Sequence, residues 1–326
     1  MHKIPVGVLG ASGYAGRELC ALVSRHPALD LAFAAAHARR GERARIAGRD
    51  VTFVAAEDAP LDQAALVFSA LPHGASGEWV GHARAAGAKV VDLSADLRPG
   101  AEQPAASAPA GGAPYGLPEL ARDQVRGADI VANPGCYPTA TLLALLPLLT
   151  RGLLAPGATI TVNAASGVTG AGFTPRPDLL FAEVTEDYRA YGVGNTHRHL
   201  AEMRAVLDDF GADADLVFTP HLLPVARGIL ATLVVPTRER LADASALWRE
   251  HYAHEPFVEV ADEPPALRDV VRRNVARIYV SPAQGTRQPT LVVVAAIDNL
   301  VKGAAGQAVQ NANLLLDLEE TLGLPQ

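Results

Sequence analysis

Short apolar runs recur along the chain, each stopped by glycine, proline or a polar cluster, with helix-periodic stretches between them. Lys3 to Leu9, Leu31 to Ala36, Leu66 to Leu71 and Val90 to Leu93 read as strands of a sheet buried on both faces. A helix pattern follows the first run to about Arg25. Ile130 to Ala132 is a further strand that leads through Asn133-Pro134-Gly135-Cys136 into a strongly apolar helix pattern from about Ala140. Beyond it come strand patterns over Thr159 to Ala165, Leu216 to Thr219, a stretch ending at Pro236, and Leu291 to Ile297. Helix patterns cover Glu202 to Phe210, Leu241 to His254 and a final segment to about Glu320. Such alternation predicts an α/β protein. The last helix is read as returning to the first domain, which gives one domain from residues 1–133 with 303–326 and a second from 134–302. Pro99 to Pro114, rich in Ala, Pro and Gly, reads as a long surface loop.

The first strand–turn–helix carries Gly7, Gly10, Gly13 and Gly16. Glycines at Gly10 and Gly13 let the backbone approach a pyrophosphate, with the helix-start amides facing its charge, and Gly16 allows close helix–sheet packing. The spacing departs from the usual dinucleotide fingerprint, and a tight turn with no ligand is the competing reading. After the second strand, where an NAD site offers a carboxylate to the ribose hydroxyls, the chain has Arg39 and Arg40. Arginines there suit a 2′-phosphate and favour NADP(H).

Composition narrows the class. The 326 residues suffice for two domains, and a net charge of -7 with 19% charged residues gives no basic surface for nucleic acid. The apolar run Leu142 to Leu149 is too short to span a bilayer, and the first residues lack a secretory pattern. Two cysteines make no disulfide scaffold, so a cytoplasmic protein with no membrane partner is expected.

Those cysteines occupy different contexts. Cys20 sits inside a helix pattern, where an inert packed thiol is the natural reading. Cys136 sits where a turn meets a helix, and helix-start amides favour its thiolate. Beside a nicotinamide cofactor, such a thiolate suits reduction of an activated acyl group through a thioester. That chemistry needs a proton carrier, for which His197 and His199 compete, while Glu202 either orients an imidazole or simply occupies the first turn of its helix. No third ligand is spaced to make the histidines a metal pair, and no metal is expected. Ser166 opens a Gly/Ser loop able to hold phosphate on its amides, with a simple flexible turn as the competing reading. Arg98 and Arg227 are candidates for anion binding, with a surface role and a structural ion pair as their respective alternatives. Asn299 either faces the nicotinamide or caps a turn.

Taken in order, GASGYAG, LPHG, DLSADLR, YGLPEL, NPGCYPTA, SGVTGAG, HRHLAE, FTPHLLPVARGILAT, EPFV and AIDNLVKGAAGQAVQN resemble the N-acetyl-gamma-glutamyl-phosphate reductase family over nearly the whole chain. The resemblance implies a Rossmann-type domain joined to an α/β domain with an open mixed sheet, assembled as a homodimer or homotetramer. It implies NADPH-dependent reduction of an N-acetylglutamyl phosphate, a small anionic acyl phosphate, to the semialdehyde. The family nucleophile falls on Cys136, the HRH segment on His197, Arg198 and His199, the following glutamate on Glu202, and the glycine turn on Gly10, Ser12 and Gly13. Among the two histidines the resemblance raises His199. Ala201 and Met203 depart from the family pattern, as does Val271-Arg272-Arg273-Asn274. A related reductase of carrier-bound aminoadipyl phosphate often replaces the Tyr-Pro after its cysteine, whereas Tyr137-Pro138 is retained here. Aspartate-semialdehyde dehydrogenases carry a different histidine segment, and a noncatalytic NADP sensor would have no use for the thiol.

Overall fold

The first apolar run forms β1 (Ile4–Leu9), in which Val6, Val8 and Leu9 are fully buried. It leads through the glycine turn to α1 (Tyr14–Arg25) and β2 (Leu29–Ala35). A hairpin follows, β3 (Arg43–Ile46) and β4 (Arg49–Thr52), then β5 (Leu66–Ser69), α2 (Ser76–Ala85), β6 (Lys89–Asp92), α3 (Pro118–Arg126) and β7 (Ile130–Ala132). The computed structural model describes residues 2–101, 108 and 112–326, so most of the expected Pro99–Pro114 loop lies outside the described residues. Strands β2-β1-β5-β6-β7 form one sheet with every neighbouring pair parallel. Parallel strands are covered on both faces, which is why these segments are mostly apolar rather than strictly alternating. Polar residues gather where the strands end. Asp96 accepts the amides of Gly74, Ser76 and Gly77 at the start of α2, and Asp92 accepts the hydroxyls of Ser76 and Ser94.

The next elements are α4 (Cys136–Thr150), β8 (Ala158–Gly167), the short α5 (Phe181–Val184), β9 (Arg189–Ala190), α6 (His199–Asp209), β10 (Ala214–Leu223) and β11 (Ile229–Pro236). They continue as α7 (Ala244–His251), β12 (Val258–Val260), β13 (Ala276–Pro282) and β14 (Thr290–Ile297). Seven strands make a mixed sheet in the order β12-β13-β14-β11-β8-β10-β9, with β8 and β10 parallel and β11 antiparallel to β8 and β14. Helix α4 is apolar all round because it is buried all round, every residue from Tyr137 to Leu149 being inaccessible. Trp248 and Tyr252 close over it, donating to the carbonyls of Ala144 and Leu143. Strand residues alternate between buried and accessible, and the accessible face carries Val217 and Val234 in the open.

A turn of π-helix, Val301–Ala305, runs into α8 (Gly306–Leu315), which packs on α3 and α1. The chain thus divides into two compact units, Met1–Gly135 with Ala304–Pro325, and Cys136–Gly303. The final helix stops earlier than its pattern suggests. Asp317 takes a left-handed φ of 53°, and the carbonyl of Leu322 is held by Asn313 at 2.9 Å and His26 at 2.8 Å. Among the described residues no helix is long and apolar enough to cross a membrane.

Candidate active site

Cys136 is the first residue of α4, one turn earlier than the apolar pattern indicated, and it is partly accessible. Its approach is held from both sides of the turn. Buried Arg98 donates from Nε to the Asn133 carbonyl at 2.8 Å and from Nη2 to the Leu93 carbonyl at 2.6 Å. The Asn133 amide nitrogen faces the carbonyls of Pro134 and Ala304, while its oxygen accepts from Asn311 at 2.9 Å. In the second unit, Gly303 backs onto the thiol residue. A Cβ there would lie 2.8 Å from the Cβ of Cys136, so only glycine allows this approach. Cys20, by contrast, is fully buried within α1, and burial pushes its thiol up to about 12.

Tyr137 is the hub of the second unit's polar cluster. Its hydroxyl pairs with that of Tyr191 at 2.9 Å, donates toward the His221 carbonyl at 3.4 Å and is also bonded by Ser166. Its ring meets His197, His199 and Phe218 edge-on at 5.5, 5.9 and 5.2 Å between centroids. The start of α4, the end of β8, the segment before α6 and the middle of β10 therefore converge beside Cys136. Of the expected residues, Cys136, Ser166, His197 and His199 belong to this cluster. Tyr137 stands out in the sequence only as part of the Tyr-Pro pair after the cysteine, and Tyr191 and His221 do not stand out at all. The adjacency of Tyr137 to the thiol was the available signal for the first, and nothing local marked the other two.

The histidines separate by environment. His197 Nδ1 accepts the backbone N–H of His199 at 3.1 Å, which leaves its ring proton on Nε2. Burial, with the charge of Arg198 adding to it, lowers its pKa to about 4, so His197 is neutral near pH 7. His199 opens α6 and is buried, with buried Glu202 one turn further along the same helix. Arg198, between them, is exposed.

Two of the candidates in this unit hold neighbouring loops together. The loop after Ser166 was read as an amide cradle for phosphate. The amides of Gly167, Val168 and Thr169 instead donate to the carbonyls of Gly228, Val225 and Ala226, because the loop pairs with the β10–β11 connection. Asn299 was read as a nicotinamide contact or a turn cap. Its oxygen accepts from the Gly228 amide at 2.8 Å and its nitrogen donates to Thr169 at 3.0 Å, so it ties those loops together. Arg227 lies 3.3 Å from the fully buried Asp298, the structural ion pair weighed beside anion binding.

In the first unit, Gly10 has φ 75°, and a Cβ there would come within 2.3 Å of the Ala70 carbonyl. Gly10 therefore admits no side chain, and Gly13 precedes α1 with no side-chain cap. Arg39 and Arg40 follow β2. Arg39 pairs with Glu42 at 2.7 Å and lies over Phe53, while Arg40 is exposed. Sequence reasoning passed over Gln307. It is fully buried on α8, and neither atom of its amide has a partner. A buried, unsatisfied donor–acceptor pair is costly unless a ligand meets it. Together with the bare glycine turn, it fits a bound dinucleotide.

Residues 5–128 match the family model described as "Semialdehyde dehydrogenase, NAD binding domain", and residues 136–299 match "Semialdehyde dehydrogenase, dimerisation domain". The fold and site thus define a semialdehyde dehydrogenase-class reductase. An aspartate semialdehyde dehydrogenase II from Vibrio cholerae superposes with a TM-score of 0.76 over 97% of this chain and 99% of its own, at 20% identity, a likeness of fold. N-acetyl-gamma-glutamyl-phosphate reductases from Desulforudis audaxviator and Azotobacter vinelandii are 41% and 42% identical to this chain, each comparison covering 98% of both proteins. The chain belongs to the N-acetyl-gamma-glutamyl-phosphate reductase family.

Proposed function

We propose that the Cys136 centre carries out the family reaction, NADPH-dependent reduction of N-acetyl-L-glutamyl 5-phosphate to N-acetyl-L-glutamate 5-semialdehyde with release of phosphate, in arginine biosynthesis. The observation that carries this reading is the convergence of His197 and His199 on Tyr137, directly beside Cys136 at a helix start. Helix-start amides stabilise negative sulfur. His199 takes the thiol proton; the thiolate attacks the acyl carbon, the carbon–oxygen bond to phosphate breaks, and a thioester remains. NADPH, when bound, supplies the hydride that reduces this thioester to a hemithioacetal. His199 manages the proton as the carbon–sulfur bond breaks, which frees the aldehyde and restores the thiolate. Neutral His197 fixes the start of α6, and Glu202 orients His199. Arg198 is the exposed cation nearest the histidines and serves the substrate's negative groups, with Ser166 beside Tyr137. Arg98 and Arg227 act mainly by holding the turns around the site.

Gly10, Ser12, Gly13, Arg39, Arg40 and Gln307 would hold the cofactor, with the two arginines selecting NADP(H) over NAD(H). A second copy of the chain covers the accessible sheet face carrying Val217 and Val234, giving a homodimer or a homotetramer built from it. A catalytic thiol of this kind belongs in a reducing compartment, the cytoplasm. A coupled assay tests the substrate. It offers N-acetylglutamyl phosphate, aspartyl phosphate and a carrier-bound aminoadipyl phosphate separately, following NADPH loss and phosphate release. The first is expected to be used best; preference for either competitor, or cofactor binding without phosphate release, overturns the reading.

A further inference from the structure

Strand β9 pairs with β10 only at His221 and Leu222, and upstream of that pair β10 needs another partner on the same edge. Asn195 supplies it with its side chain. The Asn195 amide nitrogen donates to the Leu216 carbonyl at 2.8 Å, and its oxygen accepts from the Phe218 amide at 2.8 Å. One side-chain amide thus satisfies the donor and acceptor that a neighbouring strand would satisfy. The backbone there is left-handed at Gly192, Gly194 and Asn195, with φ of 55°, 81° and 64°. Asparagine is among the few residues with a side chain that accept this conformation readily. The clamp lies two residues before His197. It grips the backbone of Phe218, whose ring stands 5.4 Å from that of His197 and 5.2 Å from that of Tyr137. His197 in turn receives the amide of His199.

We infer that Asn195 is a positioning residue: its amide, locked onto the edge of β10, sets His197 and His199 against Tyr137 and Cys136. This rests on the reading of the histidines given above. Asn195→Gly keeps the left-handed backbone and removes both amide bonds. Asn195→Asp keeps the acceptor and shape but turns an oxygen toward the Leu216 carbonyl, and so gives a graded partner should the glycine variant fold poorly. Expected for Asn195→Gly is a fall in kcat on the order of 100-fold, the scale of a misplaced catalytic group, with NADPH affinity unchanged. The aspartate variant should fall between it and the parent.

Nuclear magnetic resonance supplies the second readout. The His197 titration midpoint should rise toward that of an ordinary imidazole, and the His199 amide should exchange faster. Unmoved resonance signals, whether kcat falls or stays at the parent value, overturn the inference and leave the histidine chemistry standing. Moved signals with full turnover would overturn the histidine chemistry, and the positioning role with it.

Discussion

Two helices of this chain follow a buried parallel strand through a glycine turn, and their first residues have different uses. Helix α1 opens behind Gly10 and Gly13 with no side-chain cap, so what it presents is backbone amide alone. Helix α4 opens behind Pro134 and Gly135 with Cys136 itself as the first residue, so a thiol sits in the same amide field. Each helix also carries a cysteine, at opposite extremes. Cys20 is sealed inside α1, where burial pushes its thiol up to about 12, far from any reactive state near neutral pH. The two thiols thus differ by position along their helices, one partly accessible at a helix start and one sealed inside.

The largest expected effect comes from exchanging the thiols' fates. Cys136→Ser should lose turnover by at least about 10³-fold, the order seen when a nucleophile is removed, while fold and NADPH binding persist. Intact-protein mass spectrometry after rapid mixing should show an acyl adduct on the parent and none on the variant. Cys20→Ala should keep the adduct and lose only packing. An adduct on a fully active Cys136→Ser protein would end the proposed mechanism. Next in size is the histidine contrast. His199→Gln should lower kcat on the order of 100-fold or more through lost proton transfer. His197→Gln, whose parent ring is neutral and spent on a backbone amide, should cost less. Equal retention of turnover by both would require another proton carrier.

Much of this contrast is legible in the sequence. The strand–turn–helix openings are written in local residues, because buried parallel strands are mostly apolar and glycine marks the turns between them. The arginine hairpin β3–β4 was not legible. Its strands are only four residues each, so the alternation of Arg43 and Arg45 with Ala44 and Ile46 is too brief to mark a strand. Contacts across distant segments were the other blind spot. Nothing near Tyr191 or His221 signals that Tyr137 will bond both, and nothing near Asn299 signals that Gly228 and Thr169 will occupy its amide. Gln307 looked like any helix glutamine until both of its amide atoms proved buried and unmet.

A smaller effect should sharpen the cofactor side of the comparison. Replacing Arg39 and Arg40 together with glutamine removes the cations following β2 and leaves the glycine turn intact. Loss of charge-assisted bonds of this kind costs about 10-fold or more in affinity. KM for NADPH should therefore rise about tenfold while KM for NADH and the rate of Cys136 acylation stay near the parent values. Equal weakening of both cofactors would remove the arginines from 2′-phosphate selection.

The smallest predicted effect is on stability and lies in the first unit, away from both helix openings. His26 is fully buried. Its Nδ1 accepts the amides of Ala28 and Leu29 at 3.1 and 3.0 Å, and Nε2 faces the Leu322 carbonyl at 2.8 Å, so the ring is neutral with its proton on Nε2. Burial lowers its pKa below the ordinary 6.5, outweighing the opposing pull of the Leu322 carbonyl and Asn313. The unfolded chain therefore binds a proton at a higher pH than the folded chain does. Its contribution is fully present above pH 6.5 and is lost as pH falls from there toward the folded value. A protonated ring also cannot accept the two amides, so the turn at Ala28 and Leu29 should loosen first, while Nε2 can still donate to the Leu322 carbonyl. Thermal unfolding between pH 7.5 and 5 should show Tm falling in the parent, with a shallower slope in His26→Asn, whose amide does not titrate. Identical slopes would mean that other groups govern the acid limb. Hydrogen exchange confined to Leu316–Leu324 would then show whether the His26 contact holds the chain end at all.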